Sequence, residues 1–402
     1  MLSGFRGKTL LSNGTIETRT RHAEKAEETP RGSSMKYEIR CSACKSVSKN
    51  LLDFRCSSCG KPLDVRLHLD FEKTDVRRDD YSVWRYRRLF PYVEEENVIS
   101  LGEGWTPLVQ FSNCVRLKLE NLNPTGSFKD RGSAVLVSAL HRLVNEKKGY
   151  ISEDSSGNAG ASIAAYAARA GLKAKIYVPE SVSGPKFNQI QSYGAEIVKV
   201  AGSRSRVAEE AQKRETGKIY VGHILHPLFR DGIRSLAYEI AEQCKWEVPD
   251  HVFLPVSAGT LLLGVISGFK HLVNSNAIRA MPTVVACQTA QVSPLYHLFK
   301  NLDYTPPESV TSIADALVSV NPPILELMHE QLKSARGDAV MVEEDETKEA
   351  YKDLARKGFF VEPSSAVAYA GYKKQVRNGE VSSDASVVLI LTGAGLKTTL
   401  KP

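Results

Sequence analysis

Strand-like and helix-like segments alternate along most of this chain, and that alternation limits the possible fold more than any other feature. Apolar strand patterns are separated by amphipathic helical patterns, and they recur at 174–179, 195–202, 218–222, 251–256 and 283–288. Alternation at this spacing predicts parallel β-α units whose helices cover the sheets. We therefore expect an α/β protein with two parallel-sheet domains and a ligand in the cleft beyond the strand carboxyl ends.

The chain divides into four predicted parts. Residues 1–34 lack a hydrophobic pattern and the apolar core of a secretory signal, so they are expected to be a disordered extension. Residues 35–66 would form a small cysteine-bearing module, and residues 125–225 a small mobile α/β domain. A larger ligand-binding domain would combine 67–124 with 226–402. No apolar run approaches the roughly 18 residues of a membrane helix, and a cytoplasmic location is expected.

The net charge of +7 is unevenly distributed. Residues 91–402 hold thirty-four basic and thirty-four acidic side chains, so the body of the chain is neutral. Only the N-terminal part could form a basic binding surface. That part lacks the interleaved aromatic residues that stack on bases, so we do not expect a nucleic-acid partner.

Four cysteines near the N-terminus are spaced as two pairs. Cys41 and Cys44 form one Cys-x-x-Cys motif, and Cys56 and Cys59 form a second one after eleven intervening residues. Two such motifs can direct four thiolates at one tetrahedral ion, and soft thiolate ligands favour zinc. The pattern predicts a zinc-ribbon-like module; a pair of disulfides or a ribbon without metal remains the alternative.

A turn-forming segment, Asn-Pro-Thr-Gly-Ser, comes shortly before Lys129, and an amphipathic helix is predicted to begin near Asp130. The helix dipole at that position favours loss of the ammonium proton. A lysine kept partly deprotonated reacts with aldehydes to form a Schiff base. Lys129 is therefore a candidate for holding an aldehyde cofactor, although most lysines in such turns are solvated surface residues.

Polar residues follow the strand near residue 150, just before an alanine-rich helix. Backbone N–H groups at that helix start, with the hydroxyls of Ser155 and Ser156, could bind a carboxylate. The amide of Asn158 could donate a hydrogen bond to a phenolate oxygen. A simple helix cap explains the same residues.

Two further strand-to-loop transitions have the same character. Ser257, Ala258, Gly259 and Thr260 precede a helix, where small and hydroxyl residues can form a phosphate-binding loop. Thr392 follows the most apolar strand and would project its hydroxyl into the cleft. An ordinary strand-to-helix turn and a plain glycine turn are the respective alternatives.

Four ordered motifs resemble those of the threonine synthases, a family within the fold type II pyridoxal-phosphate (PLP) enzymes related to the tryptophan synthase β subunit. The resemblance covers roughly residues 84–397, and the cysteine module is similar to the ribbon of archaeal members. The four motifs are Pro124–Gly132, Ser156–Gly160, Val361–Ala366 and Leu391–Lys397.

This resemblance implies an enzyme that converts O-phospho-L-homoserine and water to L-threonine and phosphate. It implies that Lys129 attaches the PLP cofactor, removes the α proton and then a β proton of the substrate, and transfers most of the protons in the reaction. The cofactor phosphate would lie at Ser257–Thr260, its 3′ oxygen near Asn158 and its ring nitrogen at Thr392. A homodimer is expected from the same resemblance.

The region expected to bind the substrate phosphate departs from the family pattern. Many threonine synthases carry Asn-Pro-x-Arg-x-Glu-Gly, whereas this chain has His-Pro-Leu-Phe-Arg-Asp-Gly at 226–232. Arg230 is displaced by one position, which would turn its guanidinium to another side. Arg230 is kept as a candidate phosphate ligand, with Lys186, Arg234 or Ser155 as substitutes.

Other functions remain open on the sequence alone. One group comprises other lyases of the same fold: cysteate synthase acting on O-phosphoserine and sulfite, an amino-acid dehydratase, or a cysteine-synthase-like replacement enzyme. A more distant alternative is a non-catalytic protein that binds a partner through the basic cysteine module.

Overall fold

The computed structural model describes residues 35–398, so the predicted disordered extension at 1–34 lies outside it. The strands of the described part are β1 Tyr37–Cys41, β2 Val47–Ser48, β3 Leu63–Leu67, β4 Leu108–Gln110, β5 Val115–Lys118, β6 Tyr150–Glu153, β7 Ala174–Pro179, β8 Glu196–Val200, β9 Lys218–Tyr220, β10 His251–Pro255, β11 Thr283–Thr289, β12 Asp338–Val342 and β13 Val387–Ile390. Its α-helices are α1 Lys129–Glu146, α2 Asn158–Arg169, α3 Pro185–Ser192, α4 Arg204–Gln212, α5 Pro227–Ile233, α6 Ser235–Gln243, α7 Thr260–Asn274, α8 Pro294–Phe299, α9 Leu325–Ser334, α10 Glu344–Arg356 and α11 Pro363–Arg377.

Two larger sheets confirm the predicted α/β architecture. The first has the order β8-β7-β6-β9 and is parallel throughout. The second has the order β12-β11-β10-β13-β5-β4 and is parallel except for β4, which runs antiparallel to β5 at the edge. Parallel neighbours need crossover connections, which explains the regular helices between strands. The proposed domain boundaries near residues 125 and 225 remain predictions.

The N-terminal module is a third, antiparallel sheet. Its order is β2-β1-β3, and strand β1 pairs with β3 over five residues from Tyr37 to Cys41. Strand β3 packs on α5, where its backbone carbonyls at Leu63 and Val65 accept hydrogen bonds from Arg230 and Arg234. The module is therefore attached to the α/β body through buried arginines.

A buried ion-pair network fixes α1 against the larger sheet. Arg131 donates to both oxygens of Glu120 at 2.6 and 2.7 Å, and to Glu239 at 2.8 Å. Lys118, at the end of β5, also pairs with Glu239. All four side chains have no exposed surface. These four residues, the ion-pair network, position the first turn of α1 because Arg131 is two residues from Lys129.

Sequence patterns predict no regular elements within residues 290–385. The structure has one strand, β12, and four α-helices, α8 to α11, in this region. Strand β12 lies at one edge of the six-stranded sheet, and α10 and α11 pack against each other. Within residues 35–398, no helix is both long enough and apolar enough to cross a membrane.

Candidate active site

A cavity of about 420 Å³ opens where strands of both larger sheets end. It is lined by Lys129, by residues 155–158, by residues 257–260 and by Thr392. The structure thus brings together the candidate residues that the sequence placed in four separate turns. This agreement follows from parallel topology, because the carboxyl ends of neighbouring strands meet at one edge.

Lys129 is the first residue of α1, and the next helix residue, Asp130, stabilises the turn that precedes Lys129. Asp130 accepts hydrogen bonds from the backbone N–H and the hydroxyl of Thr125 at 2.7 and 2.6 Å. The Lys129 amine lies 3.3 Å from the Thr260 hydroxyl and 4.5 Å from the centre of the Phe128 ring. Burial lowers the pKa of Lys129 to about 8, against the opposing charges of Glu153 and Glu362. The amine is therefore partly deprotonated near neutral pH.

The segment 155–158 connects β6 to α2 at close quarters. A Cβ on Gly160 would lie 1.8 Å from the carbonyl oxygen of Ser155, so the close approach requires glycine. The Ser155 hydroxyl accepts a hydrogen bond from Gly157 N at 3.2 Å. The Asn158 amide nitrogen donates to Glu362 at 2.9 Å, whereas its buried Oδ1 has no partner among residues 35–398. That orphaned oxygen indicates a polar group that belongs in the cavity.

The segment 257–260 joins β10 to α7 through a left-handed residue. Gly259 has φ 91°, and a Cβ there would lie 2.0 Å from the sulfur of Met328. Within residues 35–398, the first intrahelical bond of α7 runs from the N–H of Leu263 to the Gly259 carbonyl at 3.0 Å. The N–H groups of residues 260–262 therefore have no helical carbonyl to donate to and can bind a ligand. Free N–H groups and the helix dipole together favour a phosphate at this position.

Thr392 lies at the end of β13 and lines the cavity. Its hydroxyl is 2.9 Å from that of Ser365, which in turn accepts a hydrogen bond from Gly393 N at 2.8 Å. The Ser365 contact fixes the Thr392 side chain while leaving a lone pair or proton for a ligand nitrogen.

Glu362 is a cavity residue that the sequence analysis did not identify. It precedes α11, has 1% of its surface exposed, and binds both Asn158 and Lys186. Lys186 also pairs with Asp315 at 2.8 Å. Burial opposes the charge of Lys186, but the two carboxylates raise its pKa. Glu362 follows a hydrophobic segment and precedes a proline at a helix start, and this local signal could have marked it.

A second missed feature is a pair formed by Glu153 and His223. Glu153 ends β6, and His223 lies shortly after β9, the strand that pairs with β6. The Nδ1 atom of His223 is 2.7 Å from a carboxylate oxygen of Glu153. Burial raises the pKa of Glu153, and the charge of Asp154 adds to this effect. Burial also lowers the pKa of His223.

Arg230 does not reach the cavity, which corrects its assignment as a phosphate ligand. Its guanidinium donates to the carbonyls of Ile224 and Leu225 at 2.8 and 3.1 Å, and also to Leu63 in β3. The hydrogen bond to β3 thus holds the Arg230 guanidinium against the cysteine module. Arg234 is also directed away from the cavity, because it pairs with Asp231.

The four N-terminal cysteines converge as the spacing predicts. Their sulfur atoms all lie within 4.8 Å of one another, with 3.5 Å between Cys41 and Cys59 and 3.6 Å between Cys44 and Cys56. A zinc–sulfur bond of about 2.3 Å in a tetrahedron gives sulfur separations of roughly 3.8 Å. All four thiols are free, so the disulfide alternative does not describe this structure.

Two parallel sheets, with a lysine of lowered pKa, a turn of small and hydroxyl residues and a threonine hydroxyl around one cavity, are the arrangement of a fold type II cofactor enzyme. The model of the family described as pyridoxal-phosphate dependent enzymes matches residues 99–393, and the chain belongs to this family. PLP fits the residues present, because the first N–H groups of α7 suit its phosphate and the Lys129 amine lies in the same cavity, 3.3 Å from the Thr260 hydroxyl.

Curated relatives give a narrower assignment. The chain is 34% identical over 376 residues to the threonine synthase of Methanocaldococcus jannaschii, covering 85% of this chain and 92% of that protein. It is 32% identical over 384 residues to the threonine synthase of Methanosarcina acetivorans, covering 90% of this chain and 92% of that protein. Over most of its length, the chain is thus homologous to threonine synthases, a family of PLP-dependent lyases.

Solved structures agree on the fold. Maize serine racemase superposes with a TM-score of 0.63 at 22% identity, covering 83% of this chain and 95% of that one. The processed form of threonine deaminase isoform 2 from Solanum lycopersicum gives a TM-score of 0.62 at 21% identity, covering 81% of this chain and 86% of that one. These TM-scores show that the chain shares its fold with both enzymes.

Proposed function

We propose that this protein is a threonine synthase, which converts O-phospho-L-homoserine and water to L-threonine and phosphate. The observation that carries the proposal is the Lys129 amine, whose pKa is lowered to about 8 beside a phosphate-binding turn. Homology to threonine synthases along most of the chain supports the choice of substrate.

Each part of the cofactor has a residue suited to hold it. Lys129 would hold its aldehyde carbon, and the turn Ser257–Thr260, which includes Ala258, would hold its phosphate. Asn158 would lie beside the 3′ oxygen and would share the hydrogens of its Nδ2 atom between that oxygen and Glu362, whose two carboxylate oxygens it contacts at 3.2 and 2.9 Å. Thr392 would face the ring nitrogen with a hydroxyl, which, unlike a carboxylate, does not force that nitrogen to be protonated.

Lys129 is the group placed to move protons on the substrate carbons. When bound, PLP supplies an electron sink that stabilises negative charge next to the amino group. The freed Lys129 amine can take the α proton and can then move a β proton to Cγ. Its lowered pKa makes it both an effective base and an effective acid near neutral pH.

The remaining polar residues are suited to the substrate. Ser155, Ser156 and the first N–H groups of α2 would bind the substrate carboxylate, as helix N-termini bind anions. Lys186 is placed at the cavity wall and could attract the phosphate if it exchanged Asp315 for it. We further propose that residues 125–225 move as a small domain to close the cleft around the substrate.

Phosphate release from O-phospho-L-homoserine tests the proposal. Purified protein should show the visible absorbance of a lysine-bound cofactor, and Lys129→Ala should abolish it. O-phospho-L-homoserine should yield phosphate and threonine, whereas O-phosphoserine with or without sulfite should yield little phosphate. Efficient phosphate release from O-phosphoserine would instead identify a cysteate-synthase-like enzyme. Protein that binds no PLP would refute the enzyme assignment.

We also infer that Cys41, Cys44, Cys56 and Cys59 hold a structural zinc ion. Sulfur separations close to those of a tetrahedral thiolate site support this inference. One equivalent of zinc per chain is expected by elemental analysis, and Cys41→Ser should lower it strongly. Cys114→Ser, which changes a cysteine outside the module, is the matched control. Equal zinc content in both variants would contradict the site.

Two predictions concern the whole protein. A homodimer is expected from the resemblance to threonine synthases, and sedimentation equilibrium would reveal its mass. The predicted cytoplasmic location can be tested by cell fractionation.

A further inference from the structure

The Glu153–His223 pair is built like an acid–base dyad. Glu153 has no exposed side-chain surface, and its second oxygen accepts the backbone N–H of His223 at 3.1 Å. The imidazole packs edge-on against Phe229, with ring centres 5.8 Å apart. One carboxylate thus holds both the backbone and the ring of His223, which fixes the direction of the side chain.

The other ring nitrogen of His223 opens onto the cavity. His223 is a lining residue, and within residues 35–398 its Nε2 atom has no hydrogen-bond partner. The Nε2 atom of His223 is not among the fully buried atoms without a partner, whereas Nε2 of His226 is. An imidazole held at Nδ1 and free at Nε2 presents one acid–base atom to whatever occupies the cavity.

The protonation state of the pair follows from its surroundings. Burial disfavours a net charge, so the pair is most stable when two protons are divided among the carboxylate and the two ring nitrogens. In that neutral state, Nε2 carries a proton and can donate it. The raised pKa of Glu153 and the lowered pKa of His223 both agree with this state.

We propose that His223 is a second catalytic residue, which protonates the leaving phosphate and then accepts a proton from the water that adds at Cβ. This role rests on the proposed function. It divides the work between two groups: Lys129 would carry the protons on carbon, and His223 those on oxygen. Glu153 would be a positioning residue that acts through His223.

The proton balance closes over one turnover. The Cγ–O bond breaks, its electron pair leaves with the phosphate oxygen, and that oxygen takes the Nε2 proton. The product leaves as hydrogen phosphate rather than as a trianion. The proton shared with Glu153 moves toward Nδ1 as Nε2 becomes an acceptor. Water oxygen then bonds to Cβ, and its released proton returns to Nε2. No external acid or base is consumed.

Charges around the pair favour an anionic leaving group. His223 faces Lys129 on α1 and Arg204 on α4, and both cations act on its protonation, as does the anion Asp154. Arg204 lines the cavity, pairs with Asp154 at 2.9 Å and has 50% of its side chain exposed. An incoming phosphate can therefore meet a positive group close to the imidazole.

His223→Gln is the main test, because glutamine keeps a polar side chain but cannot exchange protons in this way. We expect phosphate release to fall by roughly 10²- to 10⁴-fold, the usual contribution of one acid–base group. Exchange of the substrate α proton for solvent deuterium should stay within about threefold of wild type, since Lys129 performs it. His141→Gln, a change on α1 outside the cavity, is the matched control.

A change of leaving group separates chemistry from structure. With 2-amino-4-chlorobutanoate, chloride departs without needing a proton, so in a single turnover, before water adds, His223→Gln should release chloride at a rate close to that of wild type. Glu153→Gln should lower kcat at least about tenfold while changing KM less than about threefold.

Three results would overturn the inference. The first is near-wild-type phosphate release by His223→Gln, and the second is an equal loss of α-proton exchange and phosphate release. The third is wild-type protein that releases no phosphate from O-phospho-L-homoserine, which would also refute the proposed function. Activity of wild type together with activity of His223→Gln would refute only the role of His223.

Discussion

Two groups of buried ionisable side chains meet at the first turn of α1, where Lys129 belongs to one group and Arg131 to the other. The side chains of the two groups differ in the charge state that they adopt. In the ion-pair network, burial alone would raise the pKa of Glu239, but Arg131 and Lys118 lower it to about 2. In the cleft group, defined as Lys129, Glu153 and His223, burial dominates and favours the neutral forms.

The difference lies in how completely each charge is paired. Glu239 contacts two cations, and Arg131 contacts two carboxylates, so these groups stay charged. Lys118 is an exception, because burial lowers its pKa despite the nearby Glu239. Arg131 is the main cation of the network, since Glu120 and Glu239 raise its pKa. Within residues 35–398, the Lys129 amine has a single hydrogen-bond partner, the Thr260 hydroxyl at 3.3 Å. Incomplete pairing, rather than burial itself, marks the reactive site.

The largest expected effect is the loss of the Lys129 amine. Lys129→Ala should lower phosphate release by about 10⁴-fold, because it removes both the cofactor attachment and the base. Unfolding free energy should change little, since the amine is a poorly paired buried group. Lys147→Ala, at the exposed end of the same helix, should retain full activity. A large loss of unfolding free energy in Lys129→Ala would contradict the view that Lys129 contributes to activity rather than to stability.

A change within the ion-pair network should act on stability instead. Glu239→Gln leaves Arg131 and Lys118 without their shared carboxylate, and such losses cost about 3–5 kcal/mol. Urea unfolding would measure this difference. Asp345→Ala, which removes a solvent-exposed partner of Lys348, should cost no more than about 0.5 kcal/mol. Similar values for the two variants would show that the network contributes no more than a surface pair.

The pKa of Lys129 predicts how cofactor capture depends on pH. Only the neutral amine attacks the aldehyde, so protein freed of PLP should bind it about tenfold more slowly per pH unit below 8. The rate should level off above that pH. The same group makes stability rise between about pH 8 and 10.5, because the unfolded chain binds the extra proton there. A capture rate that kept rising to about pH 10 would indicate an ordinary lysine.

Lys186 offers the smallest and most discriminating test, since it is both in the cleft and paired. Lys186→Met should raise KM for O-phospho-L-homoserine by about 3- to 10-fold if the lysine attracts the phosphate. Its loss should cost about 1 kcal/mol or less, because its partner Asp315 is 55% exposed and Glu362 keeps its contact with Asn158. Lys173→Met, an exposed change, is the control. A larger stability loss with unchanged KM would group Lys186 with the ion-pair network.

Most of the cavity residues that sequence patterns identified lie in local segments that begin or end at a strand or helix. Lys129, Asn158, Ser257 and Thr392 each follow or precede a recognisable apolar segment, and parallel topology then brings such turns to one edge. Those patterns are local, so a single chain segment is enough to reveal them. The same reasoning predicted the two-sheet architecture and the helices α1, α2, α3, α4, α6 and α7.

The features that were missed depend on contacts between distant segments. Glu153 and His223 are 70 residues apart and meet only because β6 pairs with β9. The resemblance to threonine synthases suggests Arg230 as a phosphate ligand. Nothing in the segment around Arg230 indicates that its guanidinium binds the β3 carbonyl of Leu63, 167 residues away. A strand order would have been needed to predict either contact.

The enclosure of Lys129 has a consequence for the newly made chain. Its surroundings come from segments as far apart as Glu153 and Glu362, so they exist only after both sheets have formed. Before that, Lys129 is an ordinary protonated lysine that reacts slowly with aldehydes. The amine therefore acquires its lowered pKa only when folding is complete, so cellular aldehydes can meet it in that state only inside the finished cavity.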